Sequence, residues 1–243
     1  MGGRDHRDGR GGTCGSQGMV GEMTVDAKRL FDAIRAIKGA ALTQADVDAV
    51  NAVLAAKQRS LSNPETFFAG VRKITGSLDQ QQVDIINRLL SSAAHWGVGW
   101  LAYGLATAWH EARLKPIEEW GKGKGREYGK VNSTGKAPYG RGLVQLTWHA
   151  NYERADAELG LSGALIKNYD LALDPEIAVQ ILVRGMEKGW FTGKSLATYI
   201  GAGRGALKEF TDARRIINGT DKAALIAGYA EKFQDALAAG GWA

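Results

Sequence analysis

Only one cysteine, Cys14, occurs in the 243 residues, and it lies in a glycine-rich stretch near the amino end. A lone thiol builds neither a disulfide framework nor a cysteine-based metal site, which suits a reducing compartment. Long apolar runs are missing as well. The most apolar stretch, Ala93 to Trp109, is uncharged but is diluted by His95, Gly97, Gly99 and Gly104. It is short for a bilayer span of roughly 20 residues, so it reads as a buried central helix and no stable membrane insertion is expected. Residues 1–22 have eight glycines, scattered Arg and Asp, and no apolar core of the kind a secretory signal needs. They read as a disordered leader, with no signal peptide. His95, His110 and His149 have no recognisable metal-ligand spacing, and neither metal nor other cofactor is expected. A basic stripe is absent too. The formal charge of +5 favours a polyanionic partner, but Lys and Arg are interspersed with acids and no nucleic-acid motif is visible. No nucleic acid is expected as a partner.

What is present begins with an internal repeat. Phe31, Ile34, Arg35, Ile37, Gly39, Leu42, Val47, Val50, Asn51 and Leu54 recur as Phe68, Val71, Arg72, Ile74, Gly76, Leu78, Val83, Ile86, Asn87 and Leu90, with one residue dropped after the glycine. Apolar spacings of three and four make each copy a helical hairpin, with the glycine at a helix C-terminus and Thr43 or Asp79 capping the next helix. The polar segment Lys57 to Pro64 reads as a linker. The expected organisation is a leader at 1–22, an N-terminal helical hairpin at 23–62 that repeats 67–92, and a larger domain at 63–243. Alternation and glycines from Arg126 to Leu146 suggest a β-hairpin turning at Asn132-Ser133-Thr134-Gly135, and helical periodicity resumes from Asn151. Asp221 to Ala239 reads as an amphipathic helix packed on the core. The fold class is mainly α with one small sheet.

Two strings carry chemistry. Trp109-His110-Glu111 closes the apolar helix, where partial burial favours a protonated carboxyl. Tyr139-Gly140-Arg141-Gly142-Leu143-Val144-Gln145-Leu146-Thr147, running on to Asn151-Tyr152, places amide and hydroxyl groups behind two glycines that permit close backbone approach. Gln145 and Thr147 alternate onto one face if this segment is a strand. Cutting a glycosidic bond needs one carboxylic acid and a second carboxylate as base or nucleophile. Glu111 is the acid candidate. The second is open among Glu119, Glu118 and Glu127. On a continuous helix Glu118 and Glu119 would lie about 10 to 12 Å along the axis from Glu111. Pro116 should take the chain out of the helix and let it fold back, opening the range of roughly 6.5 to 9.5 Å that admits a water.

Together the strings resemble the signature of the family 19 glycoside hydrolases, and the wording from Leu105 to Tyr152 and at Arg214-Arg215-Ile216-Ile217-Asn218-Gly219-Thr220 is closer to the bacteriophage endolysin branch than to the plant chitinases. The resemblance covers roughly residues 65 to 240. It implies a lysozyme-like fold with Glu111 as general acid and, through the pattern Pro-Ile-x-Glu-aromatic-Gly, Glu119 as the second carboxylate. Thr147 would position the attacking water, and Gln145, Asn151 and Asn218 would bind sugar. Trp120, Tyr139 and Trp148 offer stacking faces for pyranose rings. Arg141, Arg214 and Arg215 can orient carboxylates, although structural pairing is their plainer reading.

The resemblance thus implies a muramidase, hydrolysing β-1,4 bonds between N-acetylmuramic acid and N-acetylglucosamine in peptidoglycan glycan strands and inverting at the anomeric carbon. It would act as a monomer in host cell lysis, held in the bacterial cytoplasm until a pore-forming holin releases it to the wall. A bacterial chitinase is the alternative enzyme. A non-catalytic wall-binding protein is the alternative outside enzymes.

Overall fold

The computed structural model describes residues 34–36, 38, 39, 41–44, 46, 47 and 59–243. The chain divides into two compact units, Met1–Ala56 and Lys57–Ala243. In the first unit, the leader at 1–22 and the repeat positions Phe31, Ile37, Val50, Asn51 and Leu54 lie outside the described residues. The junction of that repeat is described. Gly39 has φ +63° and donates from its backbone N–H to the Arg35 carbonyl at 3.0 Å. Thr43 N–H donates to Asp46 Oδ2 at 2.7 Å, and Asp46 N–H to Thr43 Oγ1 at 3.3 Å.

The second unit repeats that junction with different residues. Helix α1, Pro64–Thr75, is capped by Asn63, whose side chain accepts from Thr66 N–H, and it gives way to Gly76 at φ +78°. Asp79 then opens α2, Gln80–Ser92, by a reciprocal capping box with Gln82, a device worth about 1 kcal/mol.

The apolar stretch forms the central helix α3 over Val98–Ala112. It starts later than the expected Ala93, because residues 93–97 turn the chain between α2 and α3. The glycines that dilute the stretch are contact points. Gly99 donates its N–H to the Gly203 carbonyl at 3.0 Å, and a Cβ there would lie 2.7 Å from Gly205 N. From Leu101 to Ala108 every residue of α3 is buried, as a helix surrounded by protein requires. Its end also falls before Pro116. Arg113 and Leu114 both take the left-handed conformation, at φ +52° and +57°, and their N–H groups bond back to Trp109 and Ala108. Gln82 Nε2 donates to the Arg113 carbonyl at 2.9 Å, capping the end of the helix.

A two-stranded antiparallel sheet follows, β1 at Ile117–Glu118 and β2 at Arg141–Gly142, with Ile117 opposite Gly142 and Glu118 opposite Arg141. This corrects the expected hairpin. A turn does form at Asn132–Gly135, closed by Gly135 N–H on the Asn132 carbonyl, but it has no strands on either side. The chain between the strands is instead a run of tight turns with a 3₁₀ turn at Glu127–Gly129, where the glycines that suggested alternation serve turning.

The remainder is helical: α4 His149–Leu159, α5 Ala164–Lys167, α6 Pro175–Lys188, α7 Leu196–Tyr199, α8 Leu207–Asp212 and α9 Ala223–Ala239, with 3₁₀ turns at Tyr169–Leu173 and Ala213–Ile216. Helix α9 packs on α3 and α1, and α2 packs on α6. At Gly70 of α1 a Cβ would come within 2.7 Å of Ala236 Cβ, so the helices meet nearly backbone to backbone. Trp96, Tyr103, Tyr152, Tyr169, Phe67, Phe210 and Phe233 fill the core, each large apolar side chain contributing about 1.5–3 kcal/mol by burial. The protein is mainly α with one small sheet. Among the described residues no helix is long and apolar enough to cross a membrane.

Candidate active site

The end of α3, the chain leaving it and the Gly-rich segment around β2 converge on one cavity of about 510 Å³. Its walls include Glu111, Glu119, Gln145, Thr147, Asn151 and Asn218, all of them residues singled out in the sequence.

Glu111 is the penultimate residue of α3. Its side chain is 16% exposed, and its Oε1 accepts from Arg214 Nη1 at 2.5 Å. The Arg214 side chain is 4% exposed, and its Nε also donates to the Asp221 carbonyl at 3.0 Å. Thus apolar surroundings are only part of the Glu111 environment, because one oxygen is tied to a buried guanidinium. Of the three arginines named from the sequence, Arg214 meets a carboxylate of the cavity. Arg141 pairs with Asp170, and Arg215 with Asp212.

Glu119 lines the same cavity, whereas Glu118 and Glu127 do not. Its Oε1 accepts from the Tyr128 hydroxyl at 3.0 Å and its Oε2 from Gly140 N–H at 3.0 Å. Its own N–H donates to the Gly140 carbonyl at 2.7 Å, so Glu119 and Gly140 are joined through backbone and side chain together. Glycine at 140 leaves room for both side chains: a Cβ there would sit 2.9 Å from Gln145 Oε1 and 3.1 Å from Glu119 Cβ, so one or both would have to shift. Burial, followed by the bond to Glu119, pushes the Tyr128 hydroxyl above its ordinary pKa, keeping it a donor. Glu118 points elsewhere, accepting from Tyr139 and pairing with Lys122 at 3.0 Å, and these bonds hold its carboxyl below the usual range. Glu127 pairs with Lys130 in solvent.

Gln145 does not lie on a strand. It occupies a left-handed position, φ +53°, in the tight turn that pairs Arg141 with Leu146 through two backbone hydrogen bonds. Its Nε2 donates to the carbonyls of Ile117 and Gly142, fixing the amide across the small sheet. The turn brings Gln145 and Thr147 to one cavity, as a strand would have done by alternation. Asn151, in the first turn of α4, donates from Nδ2 to the Thr147 carbonyl at 2.9 Å. Asn218 follows the 3₁₀ turn Ala213–Ile216 and carries Gly219 N–H on its Oδ1.

Two sequence candidates do not line the cavity. Tyr139 is buried, its hydroxyl on Glu118 and its ring 3.6 Å below the Arg141 guanidinium, which makes it a strut of the small sheet. Trp120 is 99% exposed and stands outside the lining. Trp148 does line it, its ring edge-on to Tyr128 at 5.5 Å. Val144, Leu146 and Ile217, which belong to the quoted strings, also line it, as do Tyr128 and Phe191, which had not been named. For Tyr128 the available signal was an aromatic in a Gly-rich segment nine residues after Glu119; nothing local marks Phe191. Among the described residues no cluster of His, Cys, Asp and Glu is arranged to hold a metal ion. Comparison of the chain with family models, with curated proteins and with solved structures gave no match.

Proposed function

We propose that the chain is a glycoside hydrolase of lysozyme-like fold, a muramidase that cleaves β-1,4 bonds between N-acetylmuramic acid and N-acetylglucosamine, as the resemblance to family 19 endolysins implies. The observation that carries this reading is the convergence of Glu111 and Glu119, from unlike elements, on one cavity with Gln145, Thr147, Asn151 and Asn218. Two carboxylates across a sugar-sized cleft are the requirement of glycosidic cleavage.

In this mechanism Glu111 protonates the leaving oxygen. Arg214 occupies Oε1, leaving Oε2 as the atom that carries the proton. After transfer the guanidinium faces the new negative charge at once, with no rearrangement needed. Glu119 takes a proton from the attacking water, its carboxylate held in place by Tyr128 and Gly140. The Thr147 hydroxyl has no protein partner among the described residues and positions that water. Gln145, Asn151 and Asn218 bind the N-acetyl sugars, and Trp148 supplies the ring face. Water attack opposite the leaving group inverts the anomeric carbon. The expected role is peptidoglycan degradation during phage-induced lysis, after release by a holin.

Digestion of purified peptidoglycan tests the reading, with wild type, Glu111→Gln and Glu119→Gln run beside chitin as the control polymer. Release of muropeptides ending in reducing N-acetylmuramic acid, lowered about 10²- to 10⁴-fold in each variant, is the expected result. Cleavage of chitin alone would reassign the enzyme as a chitinase. Wall binding without cleavage by wild type would leave a binding protein.

A further inference from the structure

The segment between Glu119 and Tyr128, which bonds it, has a structure that the catalytic roles do not explain. From Trp120 to Arg126 the sequence alternates, Trp-Gly-Lys-Gly-Lys-Gly-Arg. Gly121, Gly123 and Gly125 all have positive φ, at +82°, +68° and +79°, and consecutive turns are closed by Lys122, Lys124 and Arg126 N–H groups on the carbonyls of Glu119, Gly121 and Gly123. The segment is pinched at its base. A Cβ on Gly129 would lie 2.0 Å from the Gly123 carbonyl oxygen, so the two backbones touch, beside the Tyr128 that bonds Glu119. Beyond the pinch Lys124, Gly125 and Arg126 are exposed.

The charges at that tip are not compensated locally. Lys122 is engaged by Glu118 and lies over the Tyr139 ring, and Glu127 is engaged by Lys130. Among the described residues neither Lys124 nor Arg126 forms an ion pair. Arg126 is two residues from Tyr128, so its Cα lies within about 7 Å of that residue's Cα. Two cations without an ion-pair partner among the described residues are thereby held on an anchored loop at the rim of the cleft.

We infer that the Lys124–Arg126 loop tip is a specificity surface that binds carboxylates carried on side branches of the glycan, the stem peptides of peptidoglycan. This rests on the peptidoglycan reading above and identifies the part of that substrate which the cleft residues do not contact. A glycan of N-acetylated sugars whose lactyl carboxyls are in amide linkage is uncharged along its backbone and gives these cations nothing to bind, whereas stem peptides present carboxylates along the strand. Exposed pairs of this kind act weakly and are screened by salt, so the contribution belongs mainly to capture of the strand.

The test compares intact peptidoglycan with strands whose stem peptides have been removed by an amidase and whose freed lactyl carboxylates have been capped as methylamides, using wild type and the double variant Lys124→Gln/Arg126→Gln. At low salt the variant is expected to lose about fivefold in kcat/KM on intact peptidoglycan, through KM, and to match wild type on trimmed strands. The difference should shrink at high salt, with an unchanged melting temperature showing that the fold is intact. Equal activity of variant and wild type on intact peptidoglycan would overturn the inference, as would an equal loss on both substrates. Co-sedimentation with intact and trimmed sacculi separates this inference from the hydrolase reading. If wild type cleaves neither substrate the hydrolase reading fails, while a salt-sensitive preference for intact sacculi that the double variant lacks would support the loop; absence of that preference would overturn it.

Discussion

Glu111 stands at the end of a fifteen-residue buried helix and is met by a guanidinium 103 residues downstream, whereas Glu119 stands in irregular chain and is met by groups 9 and 21 residues away. One wall of the cleft is thus fixed by the core and by a long-range ion pair. The other is fixed by short-range turns whose glycines let backbone and side chain close on each other. A core-built wall couples the carboxylate to global stability, because neither Arg214 nor α3 can shift without disturbing the packing of α9. A turn-built wall couples the carboxylate to local geometry, and damage there should reach activity before it reaches the fold.

Arg214→Ala gives the largest expected effect and tests the first half of that contrast. It leaves the mostly buried Glu111 carboxyl without its guanidinium donor, at a cost of about 2 kcal/mol in unfolding free energy measured by denaturant titration, together with loss of activity. Combining it with Glu111→Gln should restore part of that stability; no restoration would mean that the pair is not what couples this wall to the fold. Gly140→Ala tests the second half. Its new methyl displaces Gln145 and Glu119, and activity is expected to fall about 100-fold with only a small change in melting temperature. A large loss of stability there would erase the distinction between the walls. Tyr128→Phe removes one of two donors to Glu119 and should lower kcat about tenfold while leaving KM unchanged.

Glu118→Gln is expected to do least, since Glu118 faces away from the cavity. Its carboxyl is held below the ordinary 4.5 by the bond from Tyr139, then by Lys122. A carboxyl so lowered contributes stability that is complete above its unfolded-state value and is lost as pH falls through the lower folded-state value. The small melting-temperature gap between wild type and Glu118→Gln should therefore persist at neutral pH and vanish only in strong acid. Substantial loss of activity in this variant would return Glu118 to the list of catalytic groups.

The same contrast explains what could be read from the sequence. The helical wall was legible because its determinants are local and periodic: the uncharged run that becomes α3, the Asp79 cap of the helix before it, and the string that delivers Glu111. Its ion pair was less legible, since nothing near Arg214 or Glu111 announces a contact across 103 residues. On the turn-built wall the residue types were right and the backbone was not. Side-chain alternation puts Gln145 and Thr147 on a strand, whereas they lie in and beside a tight turn closed by the Arg141–Leu146 pairing, in which Gln145 has a positive φ that its residue type does not announce. The expected hairpin failed for a related reason: glycine spacing marks turns without saying which segments pair across them. Tyr139 and Trp120 were named as aromatics near the right motif, but only the fold decides which aromatic is taken as a strut and which faces open water.

The 103-residue separation between Glu111 and Arg214 also bears on biosynthesis. At about 5–20 residues per second, a ribosome takes about 5–20 s to add Arg214 after Glu111, and α9, which covers α3, is made later still. Throughout that interval the nascent chain has its acid without its cation and its central helix without its cover. On the proposed hydrolase reading, catalytic competence would arrive late in translation, and interrupted products ending before Arg214 would be inert, with α3 left uncovered.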